Sequence, residues 1–342
     1  MKEAIVNPDL MVTVNHDAPI PTPAATQILI RIVCAGCNPK DWKFPFFSKT
    51  SSNSGDDMAG VVSSVGTSVL EFKPGDRVAA FHTMQGPGGA FAEYGLAESW
   101  TTFHIPDGIS FEEAATIPLA GFAAAIGIHW RLSLPMPWSP ATKRIPLIVY
   151  GASTAVGSFA IKLARRSNIH PIIAIAGAGA PFIESLIERS EGDTVVDYRN
   201  ASDYVVEEIR SALKAAGTKD IFHAIDTVCE NGSYRNISKV MTDGGHITLL
   251  RPGEDYSDIP ASIERTVTYV GNVNGDGLAT NGRDFGLVWS RLFTSGLHDG
   301  WLNGHPYKLL PGGLNALSKG LSDLKDGKLS ASKYVFKVAD TK

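Results

Sequence analysis

The stretch Tyr150-Gly151-Ala152-Ser153-Thr154-Ala155-Val156-Gly157 decides the fold of this chain. An apolar run, Ile145 to Tyr150, precedes it, and the helix-forming AIKLARR follows it. A strand, a tight turn of small residues and a helix, in that order, let a backbone come close to a pyrophosphate. The helix N-terminus then offers unpaired N–H groups and the positive end of its dipole to the anion. Gly157 would let the helix pack closely on the strand. The spelling is not a clean G-x-G-x-x-G, so alone it reads equally well as small residues serving packing.

The sequence on the C-terminal side separates these readings. Ile145 to Tyr150 reads as a strand and Ala155 to Ser167 as a helix; Pro171 to Ala176 and Pro181 to Arg189 repeat the pair. Thr194 to Asp197 is followed by a helix over Ser202 to Ala216, and Asp220 to Asp226 by one over Ser233 to Met241. Gly245 to Leu250 closes the series. Such alternation means parallel strands joined by helical crossovers, an α/β doubly wound sheet of the Rossmann type. The continuously apolar IPLIVY and PIIAIA fit strands covered on both faces. A small-residue turn at the first of five strands makes Gly151, Ser153, Thr154, Ala155, Val156 and Gly157 candidate dinucleotide-binding residues, Ser153 and Thr154 through hydroxyls and backbone N–H groups.

The end of the second strand bears on which dinucleotide. It reads Ala176-Gly177-Ala178-Gly179, with no acid before Glu184. NAD enzymes usually place Asp or Glu there to accept from the ribose hydroxyls, and a carboxylate would repel a 2′-phosphate. Its absence favours NADPH, although no Lys or Arg stands there as a clamp.

The N-terminal third is rich in β signals. Gln27 to Val33 and Ala59 to Val65 read as strands. Lys73-Pro74-Gly75-Asp76 is a turn in which Pro presets φ and Gly accepts a positive one, and Arg77 to Phe81 opens a further strand. Ser110 with Glu113 three residues on is a capping box, and Ala-rich sequence runs from there to Trp130. The last segment combines strand-like TVTYV with helices around Asp284 to Ser295 and Gly313 to Asp326 and a strand over Lys333 to Val338.

Composition excludes several classes. The 342 residues are 44% hydrophobic and 19% charged with a net charge of −4, as in a two-domain globular protein without a basic field for nucleic acid or an acidic membrane. Met1 to Asp17 has no continuous apolar region of a signal peptide, and no uninterrupted apolar run reaches the length of a membrane span. The expected location is the cytoplasm. Cys34, Cys37 and Cys229 are too few for a disulfide scaffold, and the one CxxC has no second pair with which to bind zinc. The histidines, among them His82, His104, His129, His223, His246 and His305, lack metal-ligand spacing. GASTAVG also lacks the spelling that would make Ser153 a hydrolase nucleophile.

The chain resembles the medium-chain dehydrogenase/reductase superfamily, and within it the zinc-independent quinone oxidoreductases and fungal trans-acting enoyl reductases. Eight segments carry the resemblance in order: Gly36-Cys37-Asn38-Pro39-Lys40-Asp41-Trp42-Lys43, Gly55 to Gly60, Lys73 to Val78, Gly89 to Tyr94, Ala114 to Leu119, the GASTAVG turn, Val195 to Arg199 and Gly327 to Ser330. It implies a GroES-like β-rich catalytic domain from residues 1–122, a Rossmann NADP-binding domain from 123–272, and a return to the catalytic domain over 273–342. The active site would lie in the cleft between them.

The resemblance also places the chemistry. Zinc-dependent members have Cys where Asn38 stands and His-Glu where Asp56-Asp57 stand, so no metal is expected here. What remains is conjugate hydride delivery from NADPH to an enoyl thioester, an enone or a quinone, with a polyketide synthase as a partner. Asn38 and Lys43 would sit beside the nicotinamide and the substrate carbonyl, Lys43 otherwise being a solvated charge. Tyr198 would touch or stack near the adenosine 2′-phosphate, and Lys333 would approach the cofactor; their ordinary readings are a packed strand-end tyrosine and a surface lysine. Two features depart from the pattern: Ala123 stands where relatives often have Thr, and AGAGAPF replaces a basic or Ser-rich patch. The competing readings are a non-catalytic NADPH-binding sensor or structural protein and, more remotely, a zinc alcohol dehydrogenase.

Overall fold

The computed structural model describes residues 1–275 and 281–342. The chain divides into two compact units, one of Met1–Leu119 with Gly271–Lys342 and one of Ala120–Val270. Residues 276–280, inside the expected C-terminal return, lie outside the described residues.

In the Ala120–Val270 unit the strands are all parallel. Their order is Thr194–Asp197, Ile172–Ala176, Leu147–Tyr150, His223–Asp226, His246–Leu249 and Glu264–Val267. Counted along the chain this order is 3-2-1-4-5-6, that of a doubly wound sheet. Every residue of Leu147–Tyr150 and Ile172–Ala176 is buried, which accounts for their unbroken apolar spelling. The edge strand Glu264–Val267 extends the series beyond the five strands read from sequence. It begins two residues before the strand-like TVTYV, and its Glu264 and Arg265 are exposed.

The helix expected over Pro181 to Arg189 is shorter, Ala180–Glu184, with a single 3-10 turn at Arg189–Glu191. The buried Asp193 explains the break. Its carboxylate accepts the N–H groups of Glu188 (2.9 Å) and Ile172 (2.7 Å) and lies 2.8 Å from His170 Nδ1. The Glu188 N–H is therefore spent on a side chain rather than on a helical carbonyl.

The other unit is built on a mostly antiparallel sheet. Its order is Tyr307–Leu310, Lys333–Lys337, Gln27–Gly36, Asp57–Val65, Arg77–Phe81 and Thr102–His104, and Tyr94–Glu98 also pairs with Gln27–Gly36. Gln27–Gly36 is the organising strand, ten residues long, with register shifts against Asp57–Val65 that bend it. Ile28, Ile30, Met58, Val78, Phe91, Leu321 and Phe336 form its core, with the Phe91 and Phe336 rings meeting edge to face at 6.3 Å.

Phe111–Arg131 is long and apolar enough, by composition, to cross a bilayer, but 83% of its most apolar window is buried in the protein, as in a core helix. The Ala-rich sequence that follows the Ser110 capping box forms three pieces, Phe111–Ala114, Pro118–Ala125 and a π-turn at Ile126–Arg131. Pro118 lacks the N–H that would continue the first piece. Ser110 caps it as expected, its Oγ accepting the Glu113 N–H at 3.0 Å.

Candidate active site

Strand register assembles the polar centre of the first unit. Val335 pairs with Gly36, and Gly36 pairs with Asp57. Continuing the antiparallel register two residues sets Lys333 opposite Asn38 on the same face, with Asp57 diagonal to both. Asn38 has extended backbone (φ −125°, ψ 154°) and caps the Pro39–Ser48 helix, with Pro39 in the first turn, where a missing N–H costs nothing. Asp41 Oδ2 accepts the Asn38 N–H at 2.7 Å, and Asp41 donates its own N–H to the Asn38 carbonyl at 2.9 Å.

The Asn38 amide is engaged elsewhere. Its Nδ2 donates to Asp57 Oδ2 at 2.9 Å and its Oδ1 accepts from Lys333 Nζ at 3.0 Å. Lys333 Nζ also pairs with Asp57 Oδ2 and lies 3.5 Å from the Thr116 carbonyl. The second oxygen, Asp57 Oδ1, accepts the Leu119 N–H at 2.6 Å. Asn38, Asp57 and Lys333 are 4%, 0% and 4% exposed. The surface-lysine reading of Lys333 is thus corrected: its ammonium is buried because a carboxylate, an amide oxygen and a carbonyl replace its water.

A second charged group lies beside the first. Lys40 Nζ pairs with Asp41 Oδ1 at 2.9 Å, with Asp56 and with the Ser54 carbonyl. Asp56 Oδ1 is 2.9 Å from His82 Nδ1, and His82 Nε2 is 3.0 Å from the Pro87 carbonyl. Burial pushes the Asp41 carboxyl up to about 7, with Lys40 opposing and Asp56 adding to the rise. For Asp56, burial also acts upward, but Lys40 and His82 outweigh it and hold the carboxyl below its usual range. Lys40 is raised because its two carboxylate partners outweigh the cost of its own burial. Through its bond to the Asn38 N–H, Asp41 holds the geometry of the loop; the sequence alone gave Asp57, Asp56 and Lys40 no role in the site.

Lys43 rides on the same helix, partly exposed, its ammonium 5.7 Å from the centre of the Trp42 ring. Cys34 and Cys37 are unbridged and buried; burial first, then Glu112, pushes the Cys34 thiol up to about 12, and burial raises Cys37 well above the ordinary range. Burial thus favours the neutral thiol at both positions. Among the described residues no group of three or more His, Cys, Asp and Glu side chains is placed to hold a metal ion.

In the second unit the small-residue turn is built by close approach. Gly151 has φ +73°, and a Cβ there would lie 2.4 Å from Val228 Cγ2 and 2.5 Å from Thr227 Oγ1. A Cβ on Gly157 would lie 2.3 Å from the Gly151 carbonyl oxygen. Thr154 caps the Ala155–Arg166 helix, its Oγ1 accepting the Gly157 N–H at 3.0 Å and lying 2.9 Å from Thr227 Oγ1. Ser153, Thr154, Ala155 and Val156 are only partly buried, so the first turn of the helix keeps an open side. This cradle fits a pyrophosphate: small residues, an exposed helix start and no carboxylate in the turn.

Tyr198 follows Thr194–Asp197 and is 47% exposed; a Cβ on Gly177 would lie 2.7 Å from its ring, so the ring stands on the end of the second strand. Its centroid is 6.4 Å from that of Tyr150. Beyond it, Arg199 is exposed and paired with Asp197, Nε to Oδ1 at 3.0 Å and Nη2 to Oδ2 at 2.5 Å. Arg199, at the end of the third strand, lies next to Tyr198, whose N–H donates to the Ala176 carbonyl at the end of the second. The signal was present in Val195 to Arg199 but required the strand order to be read.

Residues 24–107 match the family model of the alcohol dehydrogenase GroES-like domain. With the doubly wound parallel sheet of the other unit, this defines a medium-chain dehydrogenase/reductase fold. The solved structure of CurK enoyl reductase shares that fold, with a TM-score of 0.76 over 98% of both chains at 19% identity. Trans-enoyl reductase fsr4 of Gibberella fujikuroi is 44% identical over 91% of this chain and 91% of its own, and trans-enoyl reductase resD of Aspergillus sclerotiorum is 32% identical over 94% of this chain and 96% of its own. The chain belongs to the trans-enoyl reductase family.

Proposed function

We propose that this protein is an NADPH-dependent enoyl reductase that works without zinc. It reduces the conjugated C=C of an enoyl thioester, and by the same chemistry an enone or quinone, in trans to a polyketide synthase of fungal secondary metabolism. The observation that supports this most is the Gly151–Gly157 cradle in a chain 44% identical to a relative named for enoyl reduction.

In this reading Gly151, Ser153, Thr154, Ala155, Val156 and Gly157 hold the pyrophosphate on the helix start. Tyr198 stacks at the adenosine end, and Arg199, exchanging Asp197 for a 2′-phosphate, selects NADPH. When bound, the reduced nicotinamide supplies a hydride to the substrate β-carbon, the pair of electrons moves to the carbonyl oxygen, and Cα takes a proton from water. Asn38 and Lys43 stabilise the oxygen that gains charge. One Asn38 Nδ2 hydrogen is used by Asp57; the other has no protein acceptor among the described residues and is the donor offered to substrate. Asp56 and Asp57 are each paired with a lysine, so neither brings an unbalanced charge to a divalent ion.

Anaerobic oxidation of NADPH and NADH against enoyl thioesters, enones and quinones tests this. NADPH should be favoured at least tenfold, about 1.4 kcal/mol of discrimination, and Arg199→Ala should reduce that ratio. Equal rates with the two cofactors would overturn the NADPH assignment. Binding of NADPH with no turnover of any acceptor would favour the sensor or structural reading.

A further inference from the structure

We infer that Lys333 is the resident cation of an oxygen-lined seat, a positioning residue that sets the orientation of the Asn38 amide. The inference rests on the reading above only in the role it gives Asn38.

The seat is drawn from three separate segments: the cap of the Pro39–Ser48 helix gives Asn38 Oδ1, the start of Asp57–Val65 gives Asp57 Oδ2, and the segment before Pro118 gives the Thr116 carbonyl. The lysine stem reaches it through space left by Gly36, where a Cβ would lie 3.1 Å from Lys333 Cε and 2.2 Å from the Ala115 carbonyl oxygen. Its backbone is fixed as well, the Lys333 N–H donating to the Pro306 carbonyl at 2.8 Å. The ammonium is therefore held by three oxygens drawn from separate segments.

The consequence for Asn38 is electrostatic. Its amide lies between an ammonium, which only donates, and a carboxylate, which only accepts. One orientation satisfies both neighbours, with Oδ1 toward Lys333 and Nδ2 toward Asp57. The flipped amide sets two donors together and two acceptors together among side chains that are 0–4% exposed. Lys333 thus aims the remaining Nδ2 hydrogen through its bond to Asn38 Oδ1, while Asp57 Oδ2 and the Thr116 carbonyl hold its ammonium in place. Asp57 completes the arrangement and, through the Leu119 N–H, ties it to the segment that follows Pro118.

Truncation of the side chain should leave an empty seat that a small organic cation can refill. The experiment compares full-length wild type, Lys333→Ala and Lys333→Met by thermal melting and by steady-state kinetics, with methylammonium chloride titrated against sodium chloride at equal ionic strength. The expected result is a saturable rise in the melting temperature of Lys333→Ala with methylammonium alone, absent from the wild type. In the same titration its kcat, at least tenfold below wild type, should recover, while the KM for NADPH stays within threefold. Lys333→Met, which fills the space without charge, should stay folded, lose kcat and gain nothing from the amine. The inference is overturned if methylammonium gives Lys333→Ala no shift beyond that of sodium chloride, or if Lys333→Met keeps the wild-type kcat. Should Lys333→Ala fail to fold, the kcat of Lys333→Met decides. If the wild type reduces no acceptor, the proposed enzymatic role fails, while the melting titration still decides the seat.

Discussion

The two regions that carry the chemistry are built in opposite ways. The turn at Gly151 to Gly157 works by subtraction: side chains are removed so that backbone can meet backbone, and the binding power lies in N–H groups and a helix end. The centre at Asn38, Asp57 and Lys333 works by addition: full charges are placed in the interior and made tolerable by one another. A site of the first kind is local in sequence and sensitive to size. A site of the second kind is scattered and sensitive to charge balance.

Substitutions can break that comparison. The largest effect is expected from Asp57→Leu, which leaves the Lys333 ammonium buried without its counter-ion and unties Asn38 and Leu119. Denaturant unfolding should show a loss of about 3–5 kcal/mol, and a loss below about 1 kcal/mol would mean that the charges are not a balanced interior pair. Gly157→Ala adds one methyl group against the Gly151 carbonyl and should cost about 1–3 kcal/mol. Calorimetric titration should also show a loss of NADPH affinity; unchanged affinity with lowered stability would separate packing from ligand cradling in that turn.

The smallest effect is one of pH. Because the folded Asp41 carboxyl is raised to about 7, the folded state keeps a proton that the unfolded chain has already released. This contribution to stability is present at low pH, falls as pH rises from the ordinary carboxylate range towards 7, and levels off above it. Its slope is at most that of one proton, about 1.4 kcal/mol per pH unit. Asp41→Asn keeps an acceptor for the Asn38 N–H and removes the titration. Its unfolding free energy minus that of wild type should therefore increase between pH 4.5 and 7; a flat or falling difference would show Asp41 ionised throughout.

What was legible in the sequence follows the same division. Leu147–Tyr150, Ile172–Ala176, Thr194–Asp197 and the Ala155–Arg166 helix fall within or on the bounds read from the chain; the first two are buried throughout and so apolar throughout, and a glycine-containing turn marks where each ends. The buried centre was largely invisible. Nothing near Asp57 distinguishes it from a surface aspartate, since its partners Asn38, Leu119 and Lys333 are supplied by strand pairing and by segments 19, 62 and 276 residues away. Lys333 read as a surface lysine for the same reason: burial of a charge is a property of its neighbours rather than of its own spelling. Glu264–Val267 was read only in part, as the strand-like TVTYV that begins at Thr266, because its exposed Glu264 and Arg265 have no apolar spelling.

The 276-residue separation between Asp57 and Lys333 also bears on the order of biosynthesis. On a ribosome the acid emerges early, whereas the base that neutralises it emerges only after the whole Ala120–Val270 unit has been translated. The unit whose sequence starts first is therefore the one whose sequence is completed last. Until the Lys333–Lys337 strand is available, the Asp57 carboxylate lacks the buried ammonium that balances it in the folded protein.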